Sequence, residues 1–296
     1  MKEVRPLKIT NFISKKSIAL DVHPSTKQEA IDMLIDLLMT AGAVKDKEAV
    51  RRDVLAREVQ GSTGLSDGLA TPHAQDAAIK KTAISMITVP EGVNFDSIDD
   101  KPARLLVLFA APLKASANEM TELGRFSVLL MDSAFKENLI RAKSVDEVIK
   151  LIDAKEAERA KSEAPEITGN SKIIAVTACP TGISSSFMAR ESLKNCAAKL
   201  GMNIRVEVYG AAGVYHSLTD EEIKNADVVI VAASKKVPIS RFDGKKMINT
   251  AVGTAIRKPE QLFERIKAGQ AQVFHATEDD EPISSKIFKK IKSIFS

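Results

Sequence analysis

Two short stretches of this chain hold the side chains best suited to group-transfer chemistry. In "AVTACPTGISSSFMARESLK", from Ala175 to Lys194, an apolar run ends at Cys179. Pro180, Thr181, Gly182, Ile183, Ser184, Ser185 and Ser186 follow, and then a helical pattern begins. A strand-loop-helix turn points backbone N–H groups into a concavity, and the helix dipole adds positive potential there. Such a nest binds a phosphate-sized dianion and favours thiolate, the nucleophilic form of cysteine. Gly182 permits a tight turn, and Thr181, Ser184, Ser185 and Ser186 supply hydroxyl donors. The loop therefore combines a nucleophile with a cradle for the phosphoryl group it would carry.

A lone cysteine after a strand is more often a small core hydrophobe. Cys196, in the middle of the following helix, fits that description. Around Cys179 the run of Pro, Thr, Gly and Ser argues against plain apolar packing. A cysteine phosphatase of the C-x5-R type is the nearest rival. It needs an arginine six positions after the nucleophile, where this chain has Ser185, so the dianion clamp is missing. The four histidines and two cysteines lack metal-ligand spacing. We expect neither metal nor cofactor.

The second stretch, "GSTGLSDGLATPHAQ" (Gly61 to Gln75), is a loop after a helix. It holds three glycines, several hydroxyls and His73. Pro72 restricts the backbone beside the histidine. A neutral imidazole is a competent nucleophile toward phosphorus near neutral pH. Alone, "TPH" reads as a surface histidine after a turn. Its weight comes from the cysteine loop in the same chain, because two nucleophiles on tethered domains suit a relay.

The elements that must position these loops fall into two groups. The chain of 296 residues is long enough for two domains, and 44% hydrophobic residues can fill two cores. "DAKEAERAKSEAPEITGNSK" (Asp153 to Lys172) reads as a helix end followed by a linker. We expect domains at 1–153 and 171–272, a linker at 154–170 and a tail at 273–296. In the first domain "TKQEAIDMLIDLLMTAG" is a helix, with Thr26 and Glu29 at capping-box spacing, an apolar stripe of Ile31, Leu34, Ile35 and Leu38, and a stop at Gly42. "EAVRRDVLAREV", "EMTELGRFSVLLMD" and "SVDEVIKLID" are further helices; "AISMITV" and "RLLVLFAAP" are strands. The pattern predicts an α/β domain with a mixed sheet covered by helices.

The second domain has a cleaner βα rhythm: "KIIAVTA", "SSFMARESLKNCAAKLG", "NIRVEVYG", "TDEEIKNA", "DVVIVAAS" and "KPEQLFERIKAG". Ile204, Val206 and Val208 are expected to point inward. An open parallel sheet of Rossmann-like form follows, with ligands beyond the carboxyl ends of the strands, where Cys179 lies.

The formal net charge of +4 is small, tryptophan is absent and there are two tyrosines. Neither a basic patch nor aromatic stacking platforms point to nucleic acid. "MKEVRPLKITNFISKKSI" has no signal-peptide core, and "LLVLFAAPL" is far shorter than the ~20 residues that span a bilayer. We expect a cytoplasmic protein. The tail "SSKIFKKIKSIFS" (Ser284 to Ser296) reads either as a frayed basic end or as an amphipathic helix touching a membrane component.

At the two loops the chain resembles the fructose-type family of the bacterial phosphoenolpyruvate:sugar phosphotransferase system, specifically its fused A and B components. "GLATPHAQ" resembles the phosphohistidine motif, over roughly residues 10 to 152. "VTACPTGISSSFMA" resembles the phosphocysteine motif, with similarity continuing through "VEVYG", "ADVVIVAAS" and "RFDGKKM" to about Ala271. The resemblance implies that the phosphocarrier HPr phosphorylates His73, that His73 passes the group to Cys179, and that Cys179 gives it to a sugar bound in a membrane-embedded C component. It also implies a role for Arg57 beside the phosphohistidine, where a solvated helix-face arginine is the plain alternative. The hydroxyls of Ser62, Thr63 and Ser66 are candidate supports for the phosphoryl group. This chain departs from the family at Met120 and Ser185, where histidines are common, and at Tyr209, where many members have glutamine. A regulatory phosphoprotein and a thiol-based phosphatase are the competing readings.

Overall fold

The computed structural model describes residues 8–162, 171–180, 182–210 and 213–277. The chain divides into two units, Met1–Pro165 and Glu166–Ser296. In the first, a 3-10 turn (Ile9–Asn11) leads into β1 (Ile13–Ala19). Helix α1 (Lys27–Thr40) starts where its cap predicts: Glu29 N–H donates to Thr26 Oγ1 at 3.1 Å. It ends just before Gly42, whose φ of 69° is a left-handed conformation suited to glycine. Helix α2 (Lys47–Val59) is capped by Asp46, which accepts from Ala49 N–H at 3.0 Å. There follow β2 (Leu69–Ala70), β3 (His73–Gln75), β4 (Ala83–Val93) and β5 (Ala103–Ala111), then α3 (Ala117–Leu129), α4 (Ser133–Arg141) and α5 (Val145–Ser162).

The sheet runs β1-β4-β5-β2, with β3 also paired to β5. Strands β4 and β5 are antiparallel, while β1 runs parallel to β4 and both β2 and β3 run parallel to β5. The sheet is therefore mixed, as predicted. Alternation along β5 sends Leu106, Leu108 and Ala110 into a core with Ile31, Leu34 and Leu38 of α1 and Val50 and Val54 of α2. On the opposite face Phe109 meets Phe126 of α3 edge-on, with centroids 6.2 Å apart. Removing one such buried leucine side chain costs about 2–5 kcal/mol.

One boundary needs correction. Helix α5 continues through Ser162, well into the segment expected to be linker from residue 154. Two carboxylates near the start of that segment meet the N-terminal turn: Asp153 accepts from Thr10 Oγ1 at 3.1 Å, and Glu156 accepts from Ile9 N–H at 3.3 Å. The N-terminal turn thus docks on α5.

The second unit contains β6 (Ile173–Ala178), α6 (Ser185–Lys199), β7 (Ile204–Gly210), β8 (Gly213–Tyr215), α7 (Asp220–Asn225), β9 (Val228–Ala233), β10 (Lys246–Thr250), α8 (Val252–Arg257), α9 (Pro259–Lys267) and β11 (Gln272–Val273). The strand order is β11-β10-β9-β6-β7-β8. The central four strands are parallel, and β8 and β11 add an antiparallel strand at each edge. The expected open parallel sheet forms the centre, and the two antiparallel strands extend its edges.

The alternation expected of β7 is also incomplete. Ile204, Val206 and Val208 are buried, but so are Arg205 and Glu207 between them. Arg205 Nε pairs with Glu222 at 2.6 Å, and Glu207 pairs with Arg241. Elements cover both faces of a parallel strand, so its polar residues need ionic partners. Among the described residues no helix is long and apolar enough to cross a membrane. The segment Ser284 to Ser296 lies outside the described residues.

Candidate active site

His73 is the first residue of β3, in register with Phe109 of β5. It is held from three sides. Gln75 N–H donates to Asp53 Oδ2 of α2 at 3.0 Å, which ties the strand to that helix. His73 Nδ1 lies 2.9 Å from the Thr71 carbonyl, and Arg57 Nε donates to His73 Nε2 at 3.2 Å. A donor on Nε2 leaves that nitrogen as acceptor, so the ring proton sits on Nδ1 and is donated to Thr71. The imidazole is neutral with its lone pair on Nε2. Burial, reinforced by the charge of Arg57, pushes its pKa from 6.5 down to about 4. The surface histidine that "TPH" alone suggested is in fact wholly buried.

The backbone around it follows from local sequence. Leu65 N–H donates to the Leu69 carbonyl at 2.7 Å and Thr71 N–H to the Thr63 carbonyl at 3.0 Å, making a small hairpin closed at Asp67 and Gly68, both with positive φ. Gly64 lies in this hairpin where an added Cβ would be 2.8 Å from the Phe95 carbonyl oxygen, so a side chain does not fit. Pro72 separates β2 from β3 and has no N–H. The Pro72 carbonyl still accepts the Phe109 N–H of β5 at 3.0 Å, so the backbone of Thr71, next along the strand, faces away from β5 and its carbonyl is left for the imidazole.

Arg57 is brought to His73, and its Nη1 also donates to the Gly61 carbonyl at 2.8 Å. Ser62 and Thr63 turn elsewhere. Ser62 Oγ donates to the Phe95 carbonyl at 2.6 Å, and Thr63 Oγ1 donates to Glu58. Ser66 is half-buried in the hairpin turn, and Met120 is wholly buried on α3. Sequence reasoning missed Glu58, Lys27 and the Thr71 carbonyl. The first two sit among other helix charges with no motif to single them out, and a carbonyl has no side-chain signature.

Cys179 follows directly on β6. Strand β7 lies on one side of β6 and β9 on the other, so the crossovers leave in opposite directions and open a cleft at this end of β6. Gly182, with a φ of 67°, turns its N–H onto Cys179 Sγ at 3.2 Å, and Ser186 Oγ lies 3.5 Å from the sulfur. Ser184 and Ile183 are buried, Pro180 and Ser185 half-buried; Thr181 lies outside the described residues. Ser184 turns its hydroxyl to Met188 Sδ at 3.7 Å and does not cap α6. The first N–H groups of α6 therefore retain their preference for negative charge. Cys196 is buried in the core beneath α6, and burial raises its thiol pKa. Tyr209, paired with Ala178 beside the loop, has its pKa pushed up to about 12 by burial and then by Glu207.

A family model described as phosphoenolpyruvate-dependent sugar phosphotransferase system, EIIA 2, matches residues 11–155. Another, described as PTS system, Lactose/Cellobiose specific IIB subunit, matches residues 174–265. The chain belongs to the sugar phosphotransferase system, as an A domain and a B domain of the fructose type fused in one polypeptide. It is 37% identical over 276 residues to the fructose-specific EIIABC component of Bacillus subtilis, covering 92% of this chain and 44% of that protein. It is 36% identical over 136 residues to the fructose-specific EIIA component of Haloferax volcanii, covering 46% of this chain and 88% of that one. A solved domain of fruA from Bacillus subtilis is 44% identical, with a TM-score of 0.33, covering 35% of this chain and all of that one. The chain spans less than half the length of the fused EIIABC relatives it matches.

Proposed function

We propose that the chain relays a phosphoryl group through two covalent intermediates. His73 Nε2 attacks the phosphorus of a phosphohistidine on the carrier HPr. A P–N bond forms as the carrier's P–N bond breaks, and the electron pair returns to the carrier's imidazole. The Cys179 sulfur, having lost its proton, then attacks the same phosphorus, and His73 leaves with its lone pair restored. Finally a sugar hydroxyl in a membrane C component displaces the sulfur as thiolate and releases its own proton. The fructose-specific names of the relatives support a sugar of that type.

The observation that carries this reading is the state of His73: neutral, with an unprotonated Nε2 beside a guanidinium. Such a ring can attack without first losing a proton, and Arg57 can turn to the incoming phosphoryl oxygens. Transfer of this kind depends mainly on positioning and charge stabilisation.

Phosphorylation by phosphoenolpyruvate, enzyme I and HPr, with phosphorylated residues mapped by mass spectrometry, tests it. His73→Ala should abolish labelling of both domains, and Cys179→Ser should leave His73 labelled. Label on Cys179 in the His73→Ala protein, with HPr as sole donor, would sink the proposed order. A regulatory phosphoprotein would take label on His73 yet pass none to sugar when the membrane component is supplied.

A further inference from the structure

We propose that Glu58, held by Lys27, is a positioning residue for His73: it anchors Thr63, Thr63 anchors Thr71, and the Thr71 carbonyl fixes the imidazole with its proton on Nδ1. The inference rests on the reading of His73 as phosphoryl acceptor.

Each link is a hydrogen bond. Glu58 is buried, and its carboxylate accepts both polar hydrogens of Thr63: the N–H on Oε2 at 3.1 Å and the hydroxyl on Oε1. The Thr63 carbonyl accepts Thr71 N–H at 3.0 Å. The Thr71 carbonyl accepts the proton on His73 Nδ1 at 2.9 Å. Thr63, Thr71 and His73 are all buried.

The far end of the chain is also fixed. Lys27 Nζ pairs with Glu58 Oε2 at 2.8 Å and with Asp96 at 3.2 Å, and donates to Ser62 Oγ at 3.2 Å and the Phe95 carbonyl at 3.4 Å. It lies 4.7 Å from the centroid of the Phe95 ring. A buried carboxylate persists only when paired and hydrogen-bonded. Among the described residues the Glu58 carboxylate meets the N–H and hydroxyl of Thr63, which leads to His73, and the lysine that immobilises it.

The chain carries position rather than protons. As phosphorus bonds to Nε2, positive charge grows on the ring, and a carbonyl fixed at Nδ1 stabilises it and holds the ring plane for in-line attack. Thr71 can serve this way because both its backbone groups are used outside the β5 ladder.

The test uses the full chain. Proton–nitrogen spectra of the His73 ring report the tautomer and the Nδ1 proton, and rapid-quench labelling by phospho-HPr reports rate and KM. Glu58→Gln and Thr63→Val should both weaken the bond from Nδ1–H to the Thr71 carbonyl, seen as a ring proton that resonates further upfield and exchanges faster, while Arg57 still keeps the proton off Nε2. Both should slow phosphoryl acceptance roughly tenfold to a hundredfold with KM unchanged. Thr63→Ser, which keeps the hydroxyl, should restore both readings. If Glu58→Gln does not fold, the isosteric Thr63→Val decides. An Nδ1 proton unchanged in shift and exchange in the folded variants overturns the proposal, and so does a weakened Nδ1–H bond at an unchanged rate. The spectra need no phosphoryl donor. Failure of His73 to take label in the wild type would count against the functional reading and leave the ring-proton result standing.

Discussion

Arg57 Nε sits 3.2 Å from His73 Nε2, on the same lone pair that attacks phosphorus in the proposed relay. The arginine and the incoming phosphoryl group cannot both occupy that position. Arg57 must swing aside as phosphorus approaches, and its second tie, to the Gly61 carbonyl, offers a pivot. Arg57→Ala exposes the lone pair but removes a charge-assisted contact worth about 1.5–3 kcal/mol. Labelling of His73 should slow about tenfold to a hundredfold. Arg57→Lys should recover only part of this, because an ammonium cannot present a planar fork. Rapid-quench labelling measures it, and a wild-type rate in Arg57→Ala would reduce Arg57 to a lid.

Acid should destabilise the first unit through His73. In the unfolded chain a histidine takes its proton near pH 6.5, and in the fold His73 does so only near 4. Between these values the unfolded state binds more protons, so stability falls as pH drops through that window. The loss from this one residue reaches about 3 kcal/mol by the lower end. Urea unfolding should therefore show a steeper acid dependence for wild type than for His73→Gln. Parallel curves would assign the titration to other groups.

Gly182→Ala places a side chain at a φ of 67° and disturbs the N–H that reaches Cys179 Sγ. The backbone strain is about 1–3 kcal/mol. Transfer from His73 to Cys179 should slow while labelling of His73 by HPr stays normal. Mass spectrometry of both sites over time checks this, and equal kinetics at Cys179 would show that the N–H is dispensable.

Met120 is wholly buried, so Met120→His inserts a polar ring into a packed core. We expect a loss of about 1–3 kcal/mol and no gain in rate. A lower melting temperature with unaltered labelling of His73 is the expected result. Faster labelling would show that the imidazole takes the phosphoryl group as its partner.

Where one residue type dictates local structure, the sequence was readable. The capped start of α1, its apolar stripe, the strands β4, β5, β6 and β9, and the loop after β6 all follow from patterning over several residues. Elements too short for a period did not: β2 and β3 together hold five residues and owe their existence to pairing with β5. The run "ISKKSIA" of β1 carries two lysines and no alternation, yet forms a strand by lying along β4. The two candidate nucleophiles were legible because their neighbours are unusual. Their surroundings were not, since the Glu58–Thr63 contact and the Thr71 carbonyl arise only after folding.

The committed backbone of Thr71 bears on self-association. Strands β2 and β3 form one margin of the first sheet, and an uninterrupted row of free N–H and carbonyl groups there would template the addition of a strand from another chain. Thr71 N–H is bonded to the Thr63 carbonyl and the Thr71 carbonyl to the His73 ring, so that row is already closed at this residue. The opposite margin, β1, carries Lys15 and Lys16 and a register irregularity between Ile13 and Ile18. The bonds that supply a carbonyl to His73 also remove a pairing position from the sheet margin, so freeing Thr71 would expose edge groups as well as loosen the imidazole.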